Sequence, residues 1–271
     1  MPIKLLRQRL KQVPRPASLS INRTHPLADG LIGAYLPGIS WVDYTGINKP
    51  FLYVDVQNAG AACTGIPAVT QEGPVIGTAV NTGYGLCTAA GALSPRIVAW
   101  TPQISFYIRY RQIGVSTASA NGMMFVRDAA NTASPIGFGP LTSSANSNLH
   151  CLYYGAFSTV GPGAAVSNGI HGVLASLKIN PLTSNVWVDA ASYLTSTGVS
   201  AGAGTQSTAA LEIQAMPDTA MMAIYFWDHA LTQQDAVLLE SDPYGIFASP
   251  AFDLQTFLPP AAVDPFVNAW L

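Results

Sequence analysis

The apolar residues of this chain come in short runs, and glycine, proline, asparagine or serine cuts off each one. Residues 31–36 are one continuous run. Residues 51–56 are another, bounded by Pro50 and a turn region at Asn58-Ala59-Gly60. Residues 103–111 alternate strictly. Ile104, Phe106, Ile108 and Tyr110 point one way, and Ser105, Tyr107, Arg109 and Arg111 the other. A period of two is that of a strand with one buried face. Further strands are expected at 123–126, 149–154, 170–179, 185–189, 211–215 and 221–227, with turns at 180–183 and 216–218. Gly83-Tyr84-Gly85-Leu86 reads as a turn rather than a phosphate cradle. Short strands at fairly regular spacing call for a β-sandwich or barrel. Within the body, helical periodicity returns only at 232–240. There Thr232 is an N-cap candidate, Asp235 completes a capping box three residues later, and Asp242-Pro243 stops the helix.

Charge sets the next constraint. Only 10% of residues are charged, against about 25% in an average soluble protein, while 49% are hydrophobic. That balance excludes a disordered chain and a coiled coil. A surface so poor in charge needs a cover of Ser, Thr, Asn and Gly, or burial against other subunits. The charges are also unevenly placed. Lys4, Arg7, Arg9, Lys11, Arg15 and Arg23 are half of the 12 basic residues, and all precede the first acid, Asp29. A basic arm thus leads into a mildly acidic body.

Within the arm, Ile3, Leu6, Leu10 and Val13 recur at helical spacing beside a stripe of Lys4, Arg7 and Lys11. Pro14 and Pro16 end the pattern. So short a helix is marginal in water and orders only when docked. It reads either as an anchoring arm for an acidic partner surface or as a frayed, solvated terminus. At the other end, residues 249–271 read as an extended tail. Pro250, Pro259, Pro260 and Pro265 punctuate it, and Phe252, Phe257, Phe266, Trp270 and Leu271 need a surface to lie on. Cys63, Cys87 and Cys151 read as buried free thiols, with a Cys63–Cys87 bridge as the alternative. No secretory signal peptide and no membrane-spanning helix are expected.

Three motifs in order carry a family resemblance. Residues 25–35, His-Pro-Leu-Ala-Asp-Gly-Leu-Ile-Gly-Ala-Tyr, resemble the opening of phage-associated members of the laminin-G-like, concanavalin-A-like jelly rolls. Residues 171–177 followed by Val186-Trp187-Val188-Asp189-Ala190 resemble that family's hairpin, with Ala190 in place of a common glycine. Residues 223–232, then Leu238-Leu239 and 242–247, resemble its closing strand, short helix and Pro-aromatic seal. His229 stands where Arg is usual, and Asp235 where Glu is usual. The resemblance covers about 25–248. It implies an all-β, two-sheet antiparallel jelly-roll sandwich with one short C-terminal helix and an extended N-terminal arm. The division expected is a basic amphipathic arm at 1–24, the jelly roll at 25–248 and the apolar tail at 249–271.

Catalytic chemistry is not legible. Glycoside hydrolysis needs two facing carboxylates, and the three glutamates, Glu72, Glu212 and Glu240, are scattered. His25, His150, His171 and His229 lack metal-ligand spacing, and His150 and His171 read as satisfied core or edge residues. Asp43 with Thr45 and Asn48, or Asp128 with Asn131, reads as turn chemistry rather than a calcium loop. Trp41-Val42-Asp43-Tyr44 and the pair Tyr107 and Arg109 are candidates for a carbohydrate surface.

The expected role is non-enzymatic, with no metal and no cofactor. It is a structural protein of a tailed-phage-like virion, assembled in the host cytoplasm: a capsid decoration protein, minor capsid protein or fibre subunit. Lys4, Leu6, Arg7, Leu10, Lys11 and Arg15 would bind a capsid or other virion protein, and the body would form a homo-oligomer. Neither nucleic acid nor a membrane is an expected partner. The alternative is a glycan-binding, lectin-like adhesin module on a phage tail or cell surface.

Overall fold

The structure is a computed structural model. It describes residues 19–37, 39–48, 51–55, 61–62, 68–70, 73–75, 84–88, 103–112, 124–127, 136–143, 146–153, 156–159, 169–179, 182–197, 210–214 and 219–248. In chain order the strands are β1 (Ser20–Ile21), β2 (Leu31–Leu36), β3 (Ser40–Asp43), β4 (Phe51–Asp55), β5 (Ala61–Ala62), β6 (Ala68–Thr70), β7 (Gly73–Val75), β8 (Tyr84–Thr88), β9 (Gln103–Gln112), β10 (Met124–Arg127), β11 (Ile136–Ser143), β12 (Asn146–Tyr153), β13 (Ala156–Thr159), β14 (Gly169–Ile179), β15 (Leu182–Val188), β16 (Ala191–Thr197), β17 (Ala210–Gln214), β18 (Thr219–Trp227) and β19 (Phe247–Ala248). One α-helix, α1 (Gln233–Ser241), is present among the described residues.

These elements make a two-sheet antiparallel jelly-roll sandwich. The larger sheet runs β16-β15-β14-β9-β18-β2-β3, with β7 also paired to β18 and β6 to β7. The smaller sheet runs β13-β12-β11-β10-β17-β8-β4-β5. Sequence neighbours often part company. β9 lies between β14 and β18, and β17 lies between β10 and β8, so both sheets depend on long-range pairing. The basic arm at 1–18 and the tail at 249–271 lie outside the described residues.

The central strands differ from their sequence pattern in one respect. Strand β9 is buried on both faces: Ile104, Phe106, Ile108 and Tyr110 on one, Ser105, Tyr107 and Arg109 on the other. The expectation of a half-buried strand is corrected. Helix α1 and the segments around it cover the face that carries the polar side chains. Strand β18, at the middle of the sheet, is buried from Ala220 to Trp227. A second correction concerns residues 84–86, which belong to β8 and not to a turn. There Gly85 pairs with Val54 on one side and Gln214 on the other. Pairing on both edges outweighs the poor strand propensity of glycine.

The opening and closing motifs meet in space. Asn22 N–H donates to Ile246 O at 2.7 Å, and β1 pairs with β19 through Ser20 opposite Ala248 and Ile21 opposite Phe247. Trp227 Nε1 donates to Leu27 O at 2.7 Å, and Tyr225 Oη donates to Pro243 O at 2.8 Å. A cluster of Leu27, Leu31, Tyr225, Trp227, Leu231, Leu239, Tyr244 and Phe247 seals the helix-covered face. Each such large side chain contributes about 2–3 kcal/mol by leaving water. The capping box on α1 forms as its spacing predicts. Thr232 Oγ1 accepts from Asp235 N at 3.4 Å, and Asp235 Oδ2 accepts from Thr232 N at 2.8 Å. Asp242 follows as the C-cap.

Candidate functional site

The helix-covered face of the larger sheet carries buried polar and charged side chains, Ser105, Arg109 and Ser176 among them. The alternation of β9 places Ser105, Tyr107 and Arg109 there. Tyr107 stacks on Tyr225 of the neighbouring strand, with ring centroids 5.8 Å apart. Arg109 Nη1 meets Glu240 Oε2 of α1 at 3.0 Å, and Tyr107 Oη donates to Glu240 Oε1 at 2.8 Å. Arg109 Nη1 also donates to Tyr107 Oη at 3.2 Å. Opposite Arg109 in the sheet stands Gly172. A Cβ there would overlap the Glu240 carboxylate and press on Tyr107 Oη. Glycine is required at this position by the close approach of a charged side chain.

Electrostatics fix the ionisation of this cluster. Burial opposes charge on Arg109, but Tyr107 and Glu240 outweigh it and hold the guanidinium pKa above its ordinary value. Burial, reinforced by Glu240, pushes the Tyr107 phenol well above the usual tyrosine range. Tyr244 is raised to about 12, mainly by burial, with Arg109 opposing. Arg109 Nε is buried and has no hydrogen-bond partner. The positive charge is therefore matched by one carboxylate while its donors are only partly used.

A second pair lies at the next turn of the sheet. His171 Nδ1 meets Asp189 Oδ2 at 2.8 Å, and Asp189 Oδ1 accepts from Gly172 N at 2.9 Å. Burial works against the Asp189 carboxylate, but the His171 and Gly172 hydrogen bonds hold its pKa below the ordinary value. His171 packs its ring against Tyr110 at 5.7 Å, with its own side chain 11% exposed. Asp189 and Ala190 form the β15–β16 turn with φ of 51° and 63°. Two consecutive positive φ values are what a two-residue type I′ hairpin demands. The sequence expectation of a satisfied histidine at 171 agrees with this geometry.

The third polar centre is the loop after β3. Asp43 Oδ1 accepts from Ala34 N at 2.9 Å and Thr45 N at 3.0 Å. Its Oδ2 accepts from Thr45 Oγ1 at 2.6 Å, Asn48 N at 2.8 Å and Asn48 Nδ2 at 2.7 Å. The carboxylate is a hub for its own loop, which is the turn chemistry its spacing predicts. The loop presents Val42 and Ile47 outward, 46% and 50% exposed. Half-buried Tyr44 lies edge-on to Phe247 at 5.4 Å.

The candidate residues read from sequence divide accordingly. Tyr107 and Arg109 are buried beneath α1, so they do not offer an exposed carbohydrate platform. Of Trp41-Val42-Asp43-Tyr44, Val42 is exposed, Tyr44 is half-buried and Asp43 is buried, while the Trp41 side chain lies outside the described residues; exposed Ile47, in the same loop, was not singled out by the sequence. Lys4, Leu6, Arg7, Leu10, Lys11 and Arg15 lie outside the described residues, as do Asp128 and Asn131. The partnership of Glu240 with Arg109 was missed, because the two are 131 residues apart in the chain. The clue was an arginine on an otherwise ordinary strand and a lone acid late in the body's helical pattern at 232–240. Among the described residues, no group of three or more His, Cys, Asp or Glu converges as metal ligands would. No described helix is long and apolar enough to cross a membrane.

No protein-family model matches the chain, and no curated protein sequence matches it. Solved structures do match its fold. Domain 4 of the GH43 extracellular arabinanase AbnA from Geobacillus stearothermophilus, solved in complex with arabinotriose, matches with TM-score 0.55 at 14% identity. The match covers 78% of this chain and 98% of that one. The binding domain of botulinum neurotoxin serotype D/C matches with TM-score 0.56 at 11% identity, over 78% of this chain and 52% of that one. The sialidase of Trypanosoma rangeli, in complex with 2,3-difluorosialic acid, matches with TM-score 0.56 at 13% identity. That alignment covers 90% of this chain but 38% of the sialidase. The chain thus spans about half of the toxin domain and well under half of the enzyme. What is shared is the fold, a two-sheet jelly-roll sandwich.

Proposed function

We propose that this chain is a glycan-binding module without catalytic activity of its own. The observation that carries the reading is the match across nearly the whole of an arabinanase domain solved with arabinotriose. The toxin binding domains and the sialidase share the same sandwich. Three of the described carboxylates are already engaged within the fold, which supports binding rather than hydrolysis. Glu240 is spent on Arg109 and Tyr107, Asp189 on His171 and Gly172, and Asp43 on its loop. A hydrolase keeps two carboxylates free to face one glycosidic bond. Contact with sugar is assigned to the loop 42–47. It joins exposed apolar side chains to a rigid backbone, as a sugar's mixed C–H and hydroxyl surface requires.

A second reading makes the chain a structural subunit of a virion, held by the basic arm. One observation favours it. Lys4, Arg7, Arg9, Lys11 and Arg15 precede a body in which acids outnumber bases. The structural neighbours lend weight to the glycan reading instead.

The deciding experiment is a glycan array probed with the full chain, followed by calorimetric titration of any hit. The panel holds arabino-oligosaccharides and sialylated oligosaccharides. Saturable binding that weakens on Ile47→Asp supports the proposal. Absence of binding across the panel at millimolar sugar overturns it.

A further inference from the structure

Building on the glycan reading above, we infer that the sugar met by the loop 42–47 is a neutral one, and that the loop discriminates against acidic saccharides such as uronates and sialosides. The loop's own hydrogen-bond donors are already committed. Val42 N donates to Ser40 Oγ at 3.1 Å. Tyr44 N donates to Ala34 O at 2.8 Å, and Gly46 N to Asp43 O at 3.0 Å. Thr45 N and Asn48 N donate to the Asp43 carboxylate, at 3.0 and 2.8 Å. Ile47 N donates to Thr45 Oγ1 at 3.3 Å. Asp43 itself is buried and paired with Tyr35 of β2. Side-chain donors turn inward as well. The Thr45 hydroxyl donates to Asp43, and the Asn48 amide nitrogen donates to both Ile32 O and Asp43.

An acidic sugar needs donors of that kind. A carboxylate leaves water only where N–H groups or a cation replace its hydration. Backbone amides that converge on a concavity are a common anion cradle. Here Thr45 N and Asn48 N converge on Asp43 instead, so the loop already holds an anion of its own. A second carboxylate would meet that charge across a backbone whose N–H groups are taken. A neutral sugar asks for less. Val42 and Ile47 are exposed apolar side chains, and Gly46, at φ 72°, leaves open space where a Cβ would stand. Such a surface takes the C–H face of a sugar ring without needing a charge. The hydroxyl of half-buried Tyr44, hydrogen-bonded to Ser40, can donate and accept as sugar hydroxyls do.

Calorimetric titration of the full chain with arabinotriose, galactotriose and trigalacturonate tests this. The last two differ only at C6, a primary alcohol in one and a carboxylate in the other. At neutral pH a neutral trisaccharide should bind at least about ten-fold more tightly than trigalacturonate. The neutral affinity should hardly change between low and high salt, because no ion pair carries it. Ser40→Ala releases Val42 N from its acceptor and should narrow the gap several-fold. Lys49 follows the loop in the chain, so the test is severe: a cation that met the sugar in place of the loop would favour trigalacturonate. Trigalacturonate bound as tightly as either neutral sugar overturns the inference and leaves the glycan reading standing. Array binding confined to sialylated oligosaccharides does the same, and a gap unmoved by Ser40→Ala also overturns it. Silence across the array and all three sugars fails the glycan reading and the inference together.

Discussion

Asp43 and Glu240 are both largely buried carboxylates, and they are satisfied in opposite ways. Asp43 takes five donors, all within nine residues of itself in the chain. Glu240 takes two, from Tyr107 and Arg109, 133 and 131 residues away. The first closes a loop that is already local. The second fastens a helix to a sheet across half the chain. The difference teaches where a buried charge is robust. A hub of neutral backbone and side-chain donors gives the carboxylate no counter-ion to strand. An ion pair leaves its partner charged and buried when it fails.

The largest effect should therefore follow from Glu240→Ala. It leaves the Arg109 guanidinium buried, with its Nε already unpartnered. We expect a loss of about 4 kcal/mol, read as a lowered urea midpoint. Arg109→Met combined with Glu240→Leu should recover most of that loss, because it removes both charges and keeps apolar volume. A double variant no better than the single one would show that the pair contributes net stability rather than merely satisfying itself.

Asp43→Ala comes next. It strips acceptors from Ala34 N and Asn48 N, while Asn48 Nδ2 keeps Ile32 O. A cost of about 3 kcal/mol follows from stranding buried amides. No single second substitution can rescue it, since three of the five lost donors are backbone N–H groups, of Ala34, Thr45 and Asn48. Rescue by any one change at Thr45 or Asn48 would break the contrast with Glu240.

The same contrast explains what was legible in the sequence. Local chemistry was. The 31–36 run became β2 without a shifted end, and Thr232 with Asp235 closed the expected capping box. Asp43 with Thr45 and Asn48 proved to be turn chemistry. The jelly-roll layering followed from strand spacing and three motifs. What depends on distant partners was not legible. Nothing in residues 103–111 reveals that α1 covers the polar side of β9, so Tyr107 and Arg109 looked available to a ligand. Nothing in Gly-Tyr-Gly-Leu reveals two flanking strands. Glu240 looked like a helix residue because its own neighbours say no more than that.

The smallest expected effect concerns a turn that is local in sequence yet built from a residue ill suited to it. Ala190 sits at φ 63°, after Asp189 at φ 51°. For a residue with a Cβ, the left-handed region costs about 1–2 kcal/mol. Ala190→Gly relieves that strain. It also frees the unfolded chain and removes a methyl group packed against the core cluster. The balance should be a gain of about 0.5 kcal/mol, raising the melting temperature by about 1–2 °C. Ala191→Gly is the control, since it lies in β16, outside the positive-φ pair. That change should destabilise by about 0.5 kcal/mol. Equal responses at 190 and 191 would mean that the turn carries no backbone strain. An opposite sign at the two positions would trace the difference to the handedness of one residue.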